Sequence, residues 1–185
     1  MPRAFIGIDI DEEVRKKIVD AQEQLKATGA DLKLVDPPNI HVTMKFLGDT
    51  SDDKIPGIVE ILKMAVGGRD KFDIGVRGVG VFPNPHYIRV IWTGVEVGKE
   101  ELFDIHGKIE EQLHGFGFRQ DRYFVPHLTI ARVRTARMKD HLATFVKEMS
   151  DVGFGVSRAQ AVELKQSTLT SKGPIYNTLA RIELG

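Results

Sequence analysis

Two segments pair a histidine with a threonine at the same spacing: His41 and Thr43 in HVTMKFLG (residues 41–48), and His127 and Thr129 in HLTIARV (residues 127–133). In an extended strand, side chains two positions apart project from the same face. His41, Thr43 and Lys45 are therefore expected on one face, with Val42, Met44 and Phe46 on the other. In the second segment His127, Thr129 and Ala131 oppose Leu128, Ile130 and Arg132. The apolar face can anchor on a helix layer. The His/Thr face must open to solvent or to a cleft, because burying those groups unpaired costs roughly a few kcal/mol each.

Histidine titrates near neutral pH, so one imidazole can act as a base while a second acts as an acid. Two threonine hydroxyls between them can donate to anionic oxygens. Brought face to face, the four groups suit in-line attack on a phosphodiester. No metal is called for: H-E-x-x-H is absent and no carboxylate is read at ligand spacing. A serine triad has no G-x-S-x-G to carry it, and GVRGVG lacks the lysine of a phosphate-binding loop. A lone strand histidine is ordinarily a surface or hydrogen-bonded residue, and threonine is common in strands. With six histidines and ten threonines in the chain, two such pairs are a mild coincidence. Their recurrence at equivalent places is what favours chemistry. His86, His106, His114 and His141 have no such partner and are read as surface or capping residues.

The elements that must position these residues follow from periodicity and punctuation. RAFIGIDI (3–10) reads as a strand, and Asp11 can cap a helix in which Val14, Ile18, Ala21 and Leu25 recur at helical spacing up to Gly29. Residues 40–47 are a strand, and a helix from about Ser51 accepts Pro56 in its first turn. Strands are expected at 71–82 and 87–95, a helix to about Gly115, a strand over FVPHLTIARV, a helix from Arg137, and strands at 158–169 and 175–184. Shifted by 86 residues, the first half falls on the second: His41 meets His127, and 72–82 meets 158–168. The match is one of element order and reads as a duplicated β-α-β-α-β unit. The expectation is a single α+β domain over 1–185 with approximate repeat halves 1–86 and 87–185. Two lobes related by a pseudo-twofold axis would then bring both histidines to one central cleft.

Composition narrows the function classes. Twenty-six basic residues balance 26 acidic ones, so no global field draws the chain to nucleic acid or membrane, although a local basic patch is still open to it. There is no cysteine, which excludes disulfides, thiolate nucleophiles and cysteine zinc sites. No apolar run approaches the roughly 18 residues of a membrane span. The start lacks the pattern of a signal peptide, and the cytoplasm is the expected location.

These motifs, together with the opening RAFIGIDI and the closing SKGPIY, resemble the 2H phosphoesterase superfamily, named for two H-x-[T/S]-x motifs. The likeness is specifically to its RNA 2′,3′-cyclic phosphodiesterase branch, formerly called 2′-5′ RNA ligase. The resemblance implies a bilobal α+β fold around a central cleft. It implies His41 as proton donor and His127 as proton acceptor, with Thr43 and Thr129 binding phosphate and no cofactor. Arg132 stands where many members carry an arginine in H-x-T-x-x-R, but strand parity turns it away from His127, so a role for it needs a bulge or a strand end. Lys45 is better placed by parity to meet phosphate. Tyr176, after GP in a turn, is the favoured stacking surface, ahead of Trp92, Tyr123 and Phe124. The implied partners are RNA termini bearing 2′,3′-cyclic phosphate, tRNA fragments among them, with no membrane and no protein partner. Alternatives are reversible 2′-5′ ligation, hydrolysis of a small cyclic nucleotide, and RNA-end binding without turnover.

Overall fold

A computed structural model describes residues 3–171 and 173–185. The elements run β1 (Arg3–Asp9), α1 (Glu12–Ala27), β2 (Leu32–Leu34), β3 (His41–Asp49), α2 (Ile55–Val66), β4 (Phe72–Asn84), β5 (Tyr87–Val97), α3 (Lys99–Gly115), β6 (His127–Val133), α4 (Lys139–Glu148), β7 (Gly153–Ala159), β8 (Ala161–Thr170) and β9 (Gly173–Glu183). The apolar repeat of α1 buries Val14, Ile18, Ala21 and Leu25, and Pro56 sits in the first turn of α2, where its missing N–H costs nothing. Asp11 precedes α1 but does not cap it with its side chain. Its carboxylate accepts from the Arg158 amide instead, tying the helix start to β7.

The strands form one sheet in the order β7-β4-β5-β6-β3-β1-β8-β9, with β2 paired to β6, and every pairing is antiparallel. The order is symmetric about the β6–β3 seam: under the 86-residue shift β3 corresponds to β6, β1 to β5, and β4 to the β8 region. Each wing draws strands from both halves of the chain, because β4 crosses to lie beside β5 and β8 crosses to lie beside β1. α1 and α4 pack on the wing of β4 to β7, and α2 and α3 on the wing of β3, β1, β8 and β9. Ile6, Ile8, Val42, Leu128 and Ile130 meet Ile18, Leu62, Leu102 and Ile109 of the helices in one core. The opposite face of the sheet stays free of helices and forms the cleft between the wings.

Periodicity predicts a single strand over 158–169. The chain instead breaks at Gln160, so Ala159 ends β7 and Ala161 begins β8. Those strands lie six places apart in the sheet, and two residues cannot span six strands of a flat one. The sheet therefore curls until β7 and β8 approach each other at that end.

Candidate active site

The central seam fixes the geometry. β3 and β6 run antiparallel with Val42 opposite Leu128, so His41 stands across from Thr129 and Thr43 across from His127. The two imidazoles occupy one diagonal of this square and the two hydroxyls the other. Diagonal neighbours in such a pair are about 7–8 Å apart, with their Cβ atoms somewhat closer, a spacing on the scale of a phosphate between rings.

Each ring is held by the same device. His41 Nδ1 lies 2.7 Å from the Asn39 carbonyl, and His127 Nδ1 lies 2.6 Å from the Val125 carbonyl. A carbonyl can only accept, so Nδ1 carries the proton in both rings and Nε2 of the neutral ring is left as a base. Thr43 Oγ1 lies 2.8 Å from His41 Nε2 and donates to it. The Asn39 carbonyl is itself fixed: Arg15 on α1 donates to the carbonyls of Ile10, Pro37 and Ile40, and the Asn39 side-chain amide donates to the Pro174 carbonyl at 2.8 Å.

Aromatic side chains wall both rings. Phe5 stacks on His41 with centroids 4.9 Å apart, and Tyr176 meets it edge-on at 5.6 Å. Phe82 lies edge-on to His127 at 5.1 Å, with Trp92 beyond it at 6.1 Å. Gly7 allows the approach of β1 to His41: a Cβ there would lie 3.0 Å from the ring and 3.2 Å from the Val42 carbonyl. This burial lowers the pKa of His41 to about 4, against the hydrogen bond to the Asn39 carbonyl, which favours the cation. His127 is also pushed below the usual histidine range, by burial and then by the charge of Arg132, while its bond to Val125 works the other way. Both rings are neutral near pH 7 in the free protein.

His41, Thr43, Thr129, Arg132 and Tyr176 line a cavity of about 610 Å³, within the range of small-molecule sites. His127 is not part of that lining. It adjoins the cavity through Thr43, its neighbour across the seam. The charge of Arg132 acts on both His127 and Tyr176, which places it between the wings.

Two of the seven expected residues depart from simple strand parity, for a shared reason. Register shifts along β1–β3 and β5–β6 insert an extra residue just past each motif threonine, Met44 in β3, which has a second at Leu47, and Ile130 in β6. Beyond a bulge the alternation reverses. Arg132 consequently turns into the cleft, and Phe46, expected in the core, emerges there 68% exposed. Lys45 turns the other way. It is 2% exposed, bonded to Glu110 of α3 and to the Arg119 carbonyl, with Asp121 3.4 Å away. It does not face the phosphate position, and parity alone places it wrongly.

His106, read from sequence as surface or capping, is also buried, its ring stacked on Phe124 at 3.9 Å. With Glu110 and Asp121 it forms the one trio among the described residues whose ligand atoms lie close enough for a metal, within 4.8 Å of one another. The i, i+4 spacing of His106 and Glu110 on α3 is a ligand spacing, which corrects the reading that the sequence holds none. The trio sits on the helix side of β3, away from the imidazoles, and the Lys45 ammonium supplies the positive charge there. Tyr123 is 89% exposed and has no part in the site. Phe5, Phe82, Asn39 and Val125 escape a reading of the sequence, although Asn39 and Val125 each stand two residues before a motif histidine, a spacing visible there.

The model of the LigT-like phosphoesterase family matches residues 8–92 and again 94–176. The chain belongs to this family. Among LigT-like relatives, an RNA 2′,3′-cyclic phosphodiesterase of Methanothermobacter thermautotrophicus is 41% identical over 96% of each chain. One of the same name from Methanocaldococcus jannaschii is 39% identical over 96% of this chain and 98% of its own. The structure of TT0787 of Thermus thermophilus superposes with a TM-score of 0.83 at 26% identity, covering 98% of this chain and 97% of that one. Escherichia coli LigT complexed with 3′-AMP shares the LigT-like fold, with a TM-score of 0.81 at 22% identity, over 99% and 98% of the chains. No described helix is long and apolar enough to cross a membrane.

Proposed function

We propose that this phosphoesterase opens the 2′,3′-cyclic phosphate at the end of an RNA, leaving a 2′-phosphate, by acid–base catalysis between its two motif histidines. The observation that carries the reading is the antiparallel register of β3 and β6, which sets each motif histidine opposite the other motif's threonine. His127 Nε2 takes a proton from water as its oxygen attacks phosphorus. The P–O3′ bond breaks, and His41 Nε2–H protonates the departing oxygen. Thr43 and Thr129 donate to the non-bridging oxygens, and Arg132 opposes their negative charge. Tyr176, which lines the cavity, offers aromatic surface to the terminal nucleoside, backed by the buried Phe5 ring.

His41 must be protonated to act as the acid, yet burial keeps it neutral in the free protein. An anionic phosphodiester between the rings supplies the missing attraction for a proton, so acid and substrate arrive together. The reading includes independence from metal ions and a cytoplasmic setting.

Incubating the protein with an RNA bearing a 2′,3′-cyclic phosphate end, in excess EDTA, tests it. Release of a 2′-phosphate end is expected. No product, or product only after a divalent metal is restored, overturns the mechanism, and a joined strand would assign the chemistry to 2′-5′ ligation.

A further inference from the structure

Next to the cleft lies a second cavity, of about 440 Å³, between the turn joining β4 to β5 and the start of α4. His86, Arg89, Arg134, Arg137 and Lys139 line it, with Asp140 as the one acid. In a chain with zero formal net charge this is a marked local excess of positive charge. Arg134 lines this cavity and the active-site cavity alike, so the two adjoin at its side chain, with Arg132 on the cleft side.

The basic groups are free to bind. Among the described residues Arg134, Arg137 and Lys139 form no ion pair, although arginines elsewhere on the surface, such as Arg77 and Arg158, do. Arg89 instead lies over the Tyr87 ring, 5.7 Å from its centroid, and donates to the Tyr87 hydroxyl at 3.0 Å. Tyr87 is 58% exposed. Its turn is fixed by Asn84 Oδ1, which accepts from the amides of His86 and Tyr87. Unpaired cations in a concave track beside an exposed aromatic ring are the elements of single-strand recognition, in which charge follows the phosphates and the ring stacks a base.

We propose that this cavity holds the backbone of the RNA strand that leads, on its 5′ side, to the cyclic end in the cleft, with Arg134, Arg137 and Lys139 contacting phosphates and Tyr87 stacking a base. The inference rests on the RNA phosphodiesterase reading and extends it: the substrate is an RNA chain, and a free cyclic mononucleotide occupies the cleft alone.

The variants Arg137→Glu/Lys139→Glu and Tyr87→Ala, all at exposed positions, test it with two independent readouts. One is hydrolysis of a 2′,3′-cyclic mononucleotide, which reads the cleft. The other is equilibrium binding of a fluorescent single-stranded RNA of about twelve nucleotides, which reads the track. The charge-reversed variant is expected to bind the RNA at least tenfold more weakly. Its plot of log affinity against log salt is expected to flatten by about 0.7 for each phosphate that the variant no longer neutralises. Tyr87→Ala should weaken binding several-fold with the salt slope unchanged, and both variants should hydrolyse the mononucleotide at the wild-type rate. RNA affinity and salt slope equal to wild type in the charge-reversed variant would overturn the track. Failure of the wild type to hydrolyse any cyclic phosphate would overturn the cleft chemistry alone, since binding is read separately.

Discussion

At the scale of the residue, the site is two imidazoles set diagonally across the β3–β6 seam, each with its Nδ1 committed to a backbone carbonyl. His41→Ala or His127→Ala is expected to lower kcat by roughly two to four orders of magnitude, the usual worth of a general acid or base, with far smaller changes in KM. Steady-state kinetics on a cyclic-phosphate substrate, with circular dichroism as a fold control, decides it. The pH dependence follows from burial. The proposed mechanism needs one ring neutral and one protonated in the free protein, and burial sets both pKa values below the ordinary 6.5, that of His41 at about 4. The rate set by kcat/KM should therefore rise as pH falls toward the lowered values and peak on the acid side of 6.5. In the complex the bound anion favours imidazolium, so the kcat profile should lie at higher pH than that of kcat/KM. Two coincident profiles centred above 6.5 would refute this ordering.

At the scale of the element, the matched bulges decide which side chains reach the cleft. This is also where legibility in the sequence ends. Strand and helix positions follow from periodicity, and the histidines and threonines from their repetition. A bulge leaves no such mark: MKF and IAR read as plain alternation, which sends Lys45 to the cleft and Phe46 to the core. The break at Gln160 is equally invisible, because β7 and β8 both alternate and no glycine or proline separates them. The bulge in β6 has a visible support. Buried Gln22 donates to the Ile130 and Val35 carbonyls, each at 2.8 Å, and the Val35 amide adds a third bond to Ile130. Gln22→Leu leaves these carbonyls short of donors and should cost about 1–3 kcal/mol, measured by urea unfolding. Because Arg132 owes its direction to that bulge, KM for the cyclic phosphate should rise as well. Unchanged stability would show that water takes the place of the amide.

At the scale of the whole molecule, neither half of the chain can complete a wing. Residues 1–86 include β4, which needs β5, and residues 87–185 include β8, which needs β1. Each half expressed alone is expected to lack a cooperative thermal transition, and the two together to regain it along with activity. A folded, cooperatively melting 1–86 fragment would contradict the exchange. The seam between the wings has a consequence of its own. Among the described residues one pair, Val42 with Leu128, joins β3 to β6, whereas long ladders hold the strands to either side. A spine with a single rung flexes more readily than the pages it binds. The reach between the two rings is then set by how far the book lies open, and turnover will respond to the stiffness of that spine as directly as to the acidity of the groups it carries.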